Sequence, residues 1–346
     1  MTADGSTAVF EGRSGGSGPF RFCSVPVDGS AAPLEIGVFP QAFGYVPFEV
    51  TPDSSMVVYG LGQEGLFSVP VAGGTPPIRL NGGLAGSGIL TWKLGLDGAS
   101  VVYVSNEARL DAGDLFVVPV DGSAPATQVG ASIARQFIAS FEPAASGRIA
   151  FVTNPSATSH YDLLSGEAMA GAPVLLNDPG DNLVIPGEIG SWGPLLVNTP
   201  GGTRSIFAAS TGPGVAALFS APSDGSTPAV ELAPLIDSSI PVHVFPSVDG
   251  RAAELLFDVR RQRAVFGAVA GEDGPLQLFS VPIDGSAAAV RLNTDFTAGS
   301  PGVHYFVLAP RIGRVFFAAD QREAGVTELF SVPIDGSKAP RRIVNL

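Results

Sequence analysis

The sequence predicts an all-β fold built from repeated antiparallel sheets, and three features support this prediction. A short phrase resembling Leu-Phe-Ser-Val-Pro-x-Asp-Gly-Ser recurs along the chain. A second phrase, a turn followed by an apolar β-branched run, precedes the copies of the first. Glycine and proline contribute 44 and 30 of the 346 residues and fall mostly between the apolar runs, at turn positions.

The first phrase predicts two strands joined by a turn. Most copies end in Asp-Gly and are followed by small residues and a second short apolar run, such as Ile78-Arg79-Leu80. Asp-Gly between two apolar runs favours a type I′ hairpin, which needs positive φ at both central residues. The prolines of the six clear copies are Pro26, Pro70, Pro119, Pro222, Pro282 and Pro333. Because proline cannot donate to a ladder, we expect each at a bulge or with its missing donor facing the outer strand.

A seventh copy is predicted where the spacing of the prolines doubles. The interval from Pro119 to Pro222 is about twice the others, so one phrase has lost its recognisable form. Residues 162–165 (Asp-Leu-Leu-Ser) and 171–177 (Gly-Ala-Pro-Val-Leu-Leu-Asn) match the two strands of such a phrase without its Asp-Gly. We therefore interpret this segment as a seventh, degenerate hairpin.

The two phrases together define a unit of four strands, a to d. The turn and strand b are clearest in residues 52–59 and 97–103, and an apolar strand a precedes them, as in residues 304–308. A unit of about 50 residues has the length of one propeller blade. The sequence thus predicts a seven-bladed β-propeller of four-stranded antiparallel blades, forming a single domain over residues 1–346.

The first blade is expected to lack its innermost strand. Its earliest phrase, residues 7–11 after Asp4-Gly5, is a strand b, and no strand a precedes it in the sequence. Two interpretations remain open: the blade has three strands, or the chain is cut from a longer protein. We favour the second, because propellers usually close by completing one blade from both ends.

These phrases resemble the TolB-type β-propeller repeat. In that family a Ser-Pro-Asp-Gly-like turn leads into strand b, and a Leu-(Tyr/Phe)-x-Val-x-x-Asp-Gly run forms strand c. The resemblance covers roughly residues 4–346. It implies a propeller fold and an extracytoplasmic location. It does not select a function, because the family includes periplasmic scaffolds and propeller domains attached to peptidases.

Composition excludes several classes of partner. The net charge is −13, with only Lys93 and Lys338 as lysines, which argues against binding a nucleic-acid backbone. No apolar run approaches the roughly 18 residues of a membrane span, and residues 1–20 lack the features of a signal peptide. The single cysteine, Cys23, is expected to be a packed residue. We predict a monomer without a cofactor.

A binding site is predicted at the loop-rich face of the propeller channel. Two connections between blades are long, residues 178–192 and about 233–252, and long loops in compact folds are often functional. Asp178 and Asp181 resemble part of a calcium loop but lack its regular ligand spacing and terminal Glu. We therefore predict no metal site there.

The candidate ligand-binding residues are expected at the channel mouth. Alignment of the last two blades matches Glu254 with His304 at the start of strand a, and Arg135 lies near that position in another blade. His243 and Trp192 flank them in the long loops. Structural roles also fit these residues: loop hydrogen bonds for the histidines, a lid over a blade edge for the tryptophan, and local ion pairs for Arg135 and Glu254.

Function is the least determined property of the sequence. No nucleophile elbow, zinc-binding His-Glu-x-x-His helix or phosphate-binding glycine loop is present. The leading hypothesis is a non-enzymatic scaffold that binds a protein segment or a glycan at the channel face. The alternative is a propeller-fold polysaccharide lyase or hydrolase with its site at the channel mouth. A third hypothesis is a propeller that gates or positions a partner domain of a longer protein.

Overall fold

The fold is the predicted seven-bladed β-propeller. The computed structural model describes all residues except 14–18, 40–45, 83–87, 107–112, 132–137, 145, 155–160, 169–170, 178–181, 184–195, 200, 213–214, 238–255, 259, 270–273 and 346. Within these limits the strands form seven antiparallel sheets, and the one helix is a short 3₁₀ turn over Gly62–Glu64. None of the described residues forms a helix that is long and apolar enough to span a membrane.

We number the sheets as blades one to seven along the chain. Blade one contains β1 (Thr7–Arg13), β2 (Phe20–Pro26) and β3 (Leu34–Phe39), and blade two contains β4 (Phe48–Val50), β5 (Met56–Gly60), β6 (Leu66–Pro70) and β7 (Ile78–Arg79). Blade three contains β8 (Ile89–Leu94), β9 (Ser100–Ser105), β10 (Asp114–Pro119) and β11 (Thr127–Val129). Blade four contains β12 (Ile138–Pro143), β13 (Ile149–Thr153), β14 (Asp162–Gly166) and β15 (Val174–Leu175).

The remaining three blades follow the same order. Blade five contains β16 (Asn182–Leu183), β17 (Leu196–Asn198), β18 (Arg204–Gly212), β19 (Val215–Pro222) and β20 (Val230–Asp237). Blade six contains β21 (Leu256–Asp258), β22 (Arg263–Val269), β23 (Leu276–Pro282) and β24 (Val290–Arg291), and blade seven contains β25 (Val303–Ala309), β26 (Arg314–Ala319), β27 (Glu328–Pro333) and β28 (Arg341–Asn345). Blade one has three strands among the described residues, as predicted.

The chain forms two compact units. The first comprises Met1–Ile138, Pro143–Ile149 and Gly166–Pro173, and the second comprises Ala139–Glu142, Ala150–Ser165 and Val174–Leu346. Blades one to three belong to the first unit and blades five to seven to the second. That residues 1–346 form one domain stays a prediction.

Each unit is built around aromatic pairs that join strands b and c. In the first unit Tyr103 stacks on Phe116 with ring centroids 5.3 Å apart, and in the second Phe317 stacks on Phe330 at 5.2 Å. The paired rings are directly opposite in the strand register. Such cross-strand aromatic pairs stabilise a sheet beyond the burial of their area. The repeated Tyr or Phe of strand b and Phe of strand c therefore fix one face of each of these blades.

The predicted type I′ turn at Asp-Gly is wrong. The glycine amide donates to the proline carbonyl three residues earlier, as in Gly336 to Pro333 (3.0 Å), so glycine is the fourth residue of the turn. Only the glycine has positive φ, and the Asp335 carboxylate accepts the amide of Ser337 at 3.0 Å instead. A Cβ on Gly336 would lie 2.5 Å from Cγ1 of Val290 in blade six. The glycine is thus required by backbone conformation and by contact with the preceding blade.

The prolines are not at bulges, which leaves the second predicted arrangement. Pro70 is the last residue of β6, and the next amide, that of Val71, donates to Ser55 beside strand b. Because directions alternate along a strand, the proline nitrogen faces the side of strand d. The ladder to β7 ends at Ser68, so no hydrogen bond is lost.

The seventh hairpin is confirmed, and it contains an asparagine hydrogen bond that recurs in two other blades. Its strands β14 and β15 pair through Leu164 and Leu175. The side-chain oxygen of Asn177 then accepts the amide of Leu163 at 2.8 Å. The same bond joins Asn81 to Leu66 and Asn293 to Leu278. An asparagine after strand d therefore satisfies a buried amide of strand c in blades two, four and six.

An arginine clamp recurs in the second unit. Arg314 at the start of β26 donates from Nε to the Ser331 hydroxyl (2.6 Å) and from Nη2 to its carbonyl (3.0 Å). Arg204–Ser220 and Arg263–Ser280 repeat both bonds in blades five and six. The hydrogen bonds from Ser337 lower the pKa of Asp335, and the charge of Arg263 lowers it slightly further. Strands b and c are thereby joined by side chains as well as by backbone.

Candidate functional site

The candidate site lies at one end of blade seven, where β25 begins and β26 ends. Val303 pairs with Ala319 and Tyr305 with Ala318, so His304 is the extra residue of a β-bulge. A bulge breaks the strict alternation of a strand and redirects a side chain. Here it brings Nε2 of His304 within 2.7 Å of Oδ1 of Asp320, the residue that follows β26.

Asp320 is held in place by three donors. In addition to His304, the Thr327 hydroxyl donates to Oδ1 (2.8 Å) and the amide of Gly325 donates to Oδ2 (2.9 Å). The carboxylate is almost fully buried, with 4% of the side chain exposed. Burial raises the pKa of Asp320, but the hydrogen bonds from His304, Thr327 and Gly325 outweigh burial and leave that pKa below its ordinary value. The group is therefore a carboxylate at neutral pH.

This contact defines the chemistry of His304. A carboxylate at Nε2 holds a proton there and leaves the lone pair of the neutral ring on Nδ1. The imidazole is one quarter exposed, and no hydrogen bond to Nδ1 is formed by the residues that the structure describes. Nδ1 can accordingly accept a hydrogen bond, or a proton, from a ligand.

The backbone beside the pair is fixed by a close approach of blade six. The Leu276 amide donates to the carbonyl of Pro301 at 3.0 Å, and Leu276 forms a parallel bridge with Gly302. Gly302 has a φ of 95°, and a Cβ there would overlap backbone atoms of Leu276. The Ser300 hydroxyl donates to the Asp320 carbonyl at 2.6 Å and accepts the amide of Gly302 at 3.1 Å. The start of β25 is thus held by Leu276 of blade six and by the Ser300 hydroxyl.

A cavity of about 600 Å³ borders this segment. Its walls are Pro275, Gln277 and residues 295–301, the connection from blade six to blade seven. Asn293 anchors the connection, because its Nδ2 donates to Oε1 of Gln277 at 2.7 Å. The amide of Thr294 reaches Gln321, next to Asp320, at 3.3 Å. The cavity and the His304–Asp320 pair therefore share one hydrogen-bonded framework.

A buried glutamate adds charge next to Thr327. Glu328 is 3% exposed and accepts from Nε of Arg322 (3.0 Å) and from Nη1 of Arg342 (2.9 Å). The hydrogen bond from Arg322 is the main cause of the lowered pKa of Glu328, and Arg342 adds to it against the effect of burial. Both guanidinium groups remain partly exposed. This end of blade seven therefore carries two partly exposed guanidinium groups above the buried carboxylates of Glu328 and Asp320.

Only one of the predicted site residues falls within the described part of the chain. His304 is at the start of strand a, as the blade alignment predicted. Arg135, Trp192, His243 and Glu254 lie outside the described residues, as do Asp178 and Asp181. Their meeting at a channel mouth stays a prediction. The described residues contain no group of three His, Cys, Asp or Glu side chains arranged to hold a metal ion.

The sequence reasoning missed the partners of His304. Asp320 and Thr327 were not selected, because each lies at a strand end or in a turn that varies between blades. A signal was nevertheless present. The sixth residue after the start of strand b is Asn106 in blade three and Asp320 in blade seven. An aspartate at this position, together with a histidine at the start of the neighbouring strand a, distinguishes blade seven from blade three.

Comparisons with known proteins support the fold and leave the family open. No protein-family model matches the chain, and no curated protein matches its sequence. The structure of Porphyromonas gingivalis dipeptidyl peptidase 4 is similar at a TM-score of 0.61 and 10% identity, covering 99% of this chain and 52% of that one. The chain thus spans about half the length of that peptidase. This likeness shows the fold alone.

Two further structures are more distant. An oligogalacturonate lyase in complex with manganese has a TM-score of 0.47 at 14% identity, covering 96% of this chain and 87% of that one. A TolB-like protein of Agrobacterium tumefaciens has a TM-score of 0.39 at 15% identity, covering 68% and 79%. The structures similar to this chain therefore include propeller enzymes and a TolB-like protein. Membership of the TolB-type family stays a prediction.

Proposed function

We propose that the protein is a non-enzymatic binding scaffold that holds a segment of a partner protein at the blade-seven site. The observation that carries this proposal is the fixed orientation of His304. Its imidazole is locked by a buried carboxylate, is partly exposed, and offers Nδ1 as an acceptor. A backbone amide or a side-chain donor of a bound segment is the natural partner of such a nitrogen.

The surroundings of His304 favour a polypeptide ligand. Tyr305 and Val307 lie two residues apart on β25 and are 57% and 53% exposed. They supply apolar contact area next to the polar acceptor, and the neighbouring cavity is large enough for a side chain. The partly exposed Arg322 and Arg342 would interact with an acidic residue of the segment. Aromatic, aliphatic and charged groups in this combination are typical of protein interfaces.

The test is selection of peptides on the whole protein. A displayed library of random peptides is panned on immobilised wild-type chain, and the enriched peptides are titrated against wild type and His304→Ala. Loss of one hydrogen bond should weaken binding about tenfold. Lys338→Ala, an exposed change in the last turn of blade seven, is the matched control and should bind like wild type.

Two results would overturn this proposal. Peptides that bind His304→Ala as tightly as wild type would exclude the blade-seven site. Binding on a glycan array, without enrichment of any peptide, would exclude the proposed class of partner.

An enzymatic role is the second candidate, and the same histidine favours it. A histidine whose Nε2 is held by a buried carboxylate can take a proton through Nδ1, as a general base does. Incubation with uronic-acid polysaccharides distinguishes two reactions. A lyase forms an unsaturated, ultraviolet-absorbing product, whereas a hydrolase releases reducing ends without absorbance. Either activity, abolished in His304→Ala, would replace the scaffold proposal.

A further inference from the structure

A second cavity lies in the first compact unit, between blades two and three. Its volume is about 480 Å³, and we call it the Trp92 cavity. The walls are residues 46–49 and 60–62 from blade two and residues 89–92 from blade three. It has no residue in common with the blade-seven site.

One wall is a rigid aromatic group. Trp92 packs on one side against the core cluster of Val58, Leu66 and Tyr103. The pyrrole edge of its indole also lies against Gly60, where a Cβ would come within 2.6 Å of Nε1. Only glycine permits this approach, so that edge of the ring is held against the backbone of β5. Phe48 on β4 also lines the cavity, but its ring packs on Phe22 of blade one with centroids 5.0 Å apart, so Trp92 supplies the aromatic wall.

A bulge at the rim of the cavity exposes one large aliphatic side chain. Ile89 pairs with Ser105 and Thr91 with Val104, so Leu90 is the extra residue of a β-bulge at the start of β8. The bulge leaves Leu90 63% exposed beside Trp92. Leu90 thus offers aliphatic contact area beside the indole of Trp92.

A single carboxylate completes the cavity. Glu49 on β4 is exposed, lines the cavity, and makes no salt bridge with any residue in the described part of the chain. Aromatic faces and a carboxylate both attract cations, and the protein carries a net charge of −13. The chemistry of the walls therefore selects a ligand with a cationic end and an apolar stem.

We propose that the Trp92 cavity binds an arginine side chain presented by a partner polypeptide. Arginine fits better than lysine because its planar guanidinium stacks on aromatic rings and donates two parallel hydrogen bonds to one carboxylate. Its three-carbon stem can contact the exposed side chain of Leu90 at the rim. The bulge that presents histidine in blade seven thus presents an apolar contact in blade three.

The proposal is tested by calorimetric titration of the whole protein with a capped pentapeptide, Ala-Ala-Arg-Ala-Ala. Matched peptides carry citrulline, lysine or norleucine at the centre. Citrulline keeps the shape of arginine and removes its charge, so we expect at least about tenfold weaker binding. Lysine should bind less tightly than arginine, and norleucine least of all.

Three variants locate the site. Glu49→Gln should weaken the arginine peptide about tenfold and abolish most of the dependence of binding on salt. Trp92→Leu should weaken binding of arginine more than binding of norleucine, because a leucine keeps apolar area but has no π face. Glu64→Gln is the control, since Glu64 is an exposed carboxylate close by in sequence that does not line the cavity.

Three results would contradict binding of arginine at the Trp92 cavity. Equal affinities for the arginine and citrulline peptides, an unchanged affinity in Glu49→Gln, or no saturable heat below about 1 mM peptide would each overturn the proposal. Thermal unfolding of every variant shows that a loss of binding is not a loss of fold.

Discussion

Blades two and three meet in the first compact unit, and blades six and seven meet in the second, with the same backbone plan and different side chains. In both pairs the first strand of the later blade begins with a bulge, at Leu90 and at His304. In both, a side chain after strand b reaches back: Asn106 accepts the amide of Gly88 (2.8 Å), and Asp320 accepts from His304. The bulge therefore belongs to the blade architecture, and the chemistry lies in what occupies it.

A second contrast concerns the bond between strands b and c. In blades six and seven an arginine clamps the serine of strand c. In blade two the matching pair is Met56 and Ser68, and the Ser68 hydroxyl is fully buried without a hydrogen-bond partner among the described residues. The repeat has conserved its shape here while losing one polar contact. The backbone plan therefore tolerates the loss of a polar contact between strands b and c.

The largest effect is expected for Gly302→Ala. A methyl group at this position meets the backbone of Leu276 and must also adopt a φ of 95°, which together should destabilise the protein by about 3 kcal/mol. The equivalent Gly88→Ala should cost less than about 1 kcal/mol, since Gly88 has no positive φ and its closest neighbour would be Cα of Gln63 at 3.3 Å. Urea-unfolding midpoints measure both. Equal losses would show that the two junctions are alike.

The next effect is expected for Arg314→Met, which installs in blade seven the residue found in blade two. The change removes both bonds to Ser331 and leaves its hydroxyl buried without that donor, so we expect a loss of about 2 kcal/mol. Arg311→Met removes an exposed arginine three residues earlier and is the control. A clamp variant as stable as this control would mean that the arginine contributes nothing to the blade.

The sequence predicted the repeated strands and turns well, because residues close together in the sequence determine them. Alternating apolar runs and fixed turn residues determined seven blades, including the degenerate hairpin at residues 162–175. The turn type was wrong because Asp-Gly serves two turn geometries, and the glycine here follows proline by three residues. The His304–Asp320 pair was half predicted: the histidine was selected, but its partner depends on a bulge, which no periodicity reveals.

Asp320→Asn converts the blade-seven residue toward the Asn106 of blade three. The amide cannot hold the proton on Nε2 of His304 as a carboxylate does, and loss of charge-assisted bonds should cost about 1–2 kcal/mol at neutral pH. The pKa of Asp320 is below its unfolded value, so its contribution to stability is present above that unfolded value and is lost as pH falls through the folded one.

The wild-type and Asp320→Asn stabilities should therefore converge in acid. Unfolding curves from pH 7 down to about pH 2 test this, because the contribution is lost only below the unfolded pKa of the carboxyl. The nitrogen chemical shifts of His304 report its tautomer. A constant difference across that range, with an unchanged tautomer, would contradict the role assigned to the carboxylate.

The smallest effect distinguishes the two serines. Ser331→Ala removes an acceptor that Arg314 needs and should cost about 1 kcal/mol, whereas Ser68→Ala removes a buried hydroxyl without a partner and should be neutral or stabilising by up to about 1 kcal/mol. Met56→Arg would supply the missing donor, and its benefit should disappear when Ser68→Ala is added, because the two changes act on one contact. A loss in Ser68→Ala equal to that in Ser331→Ala would mean that a bound water or another group satisfies Ser68. Such a group would then do for Ser68 in the first unit what the arginine does for Ser331 in the second.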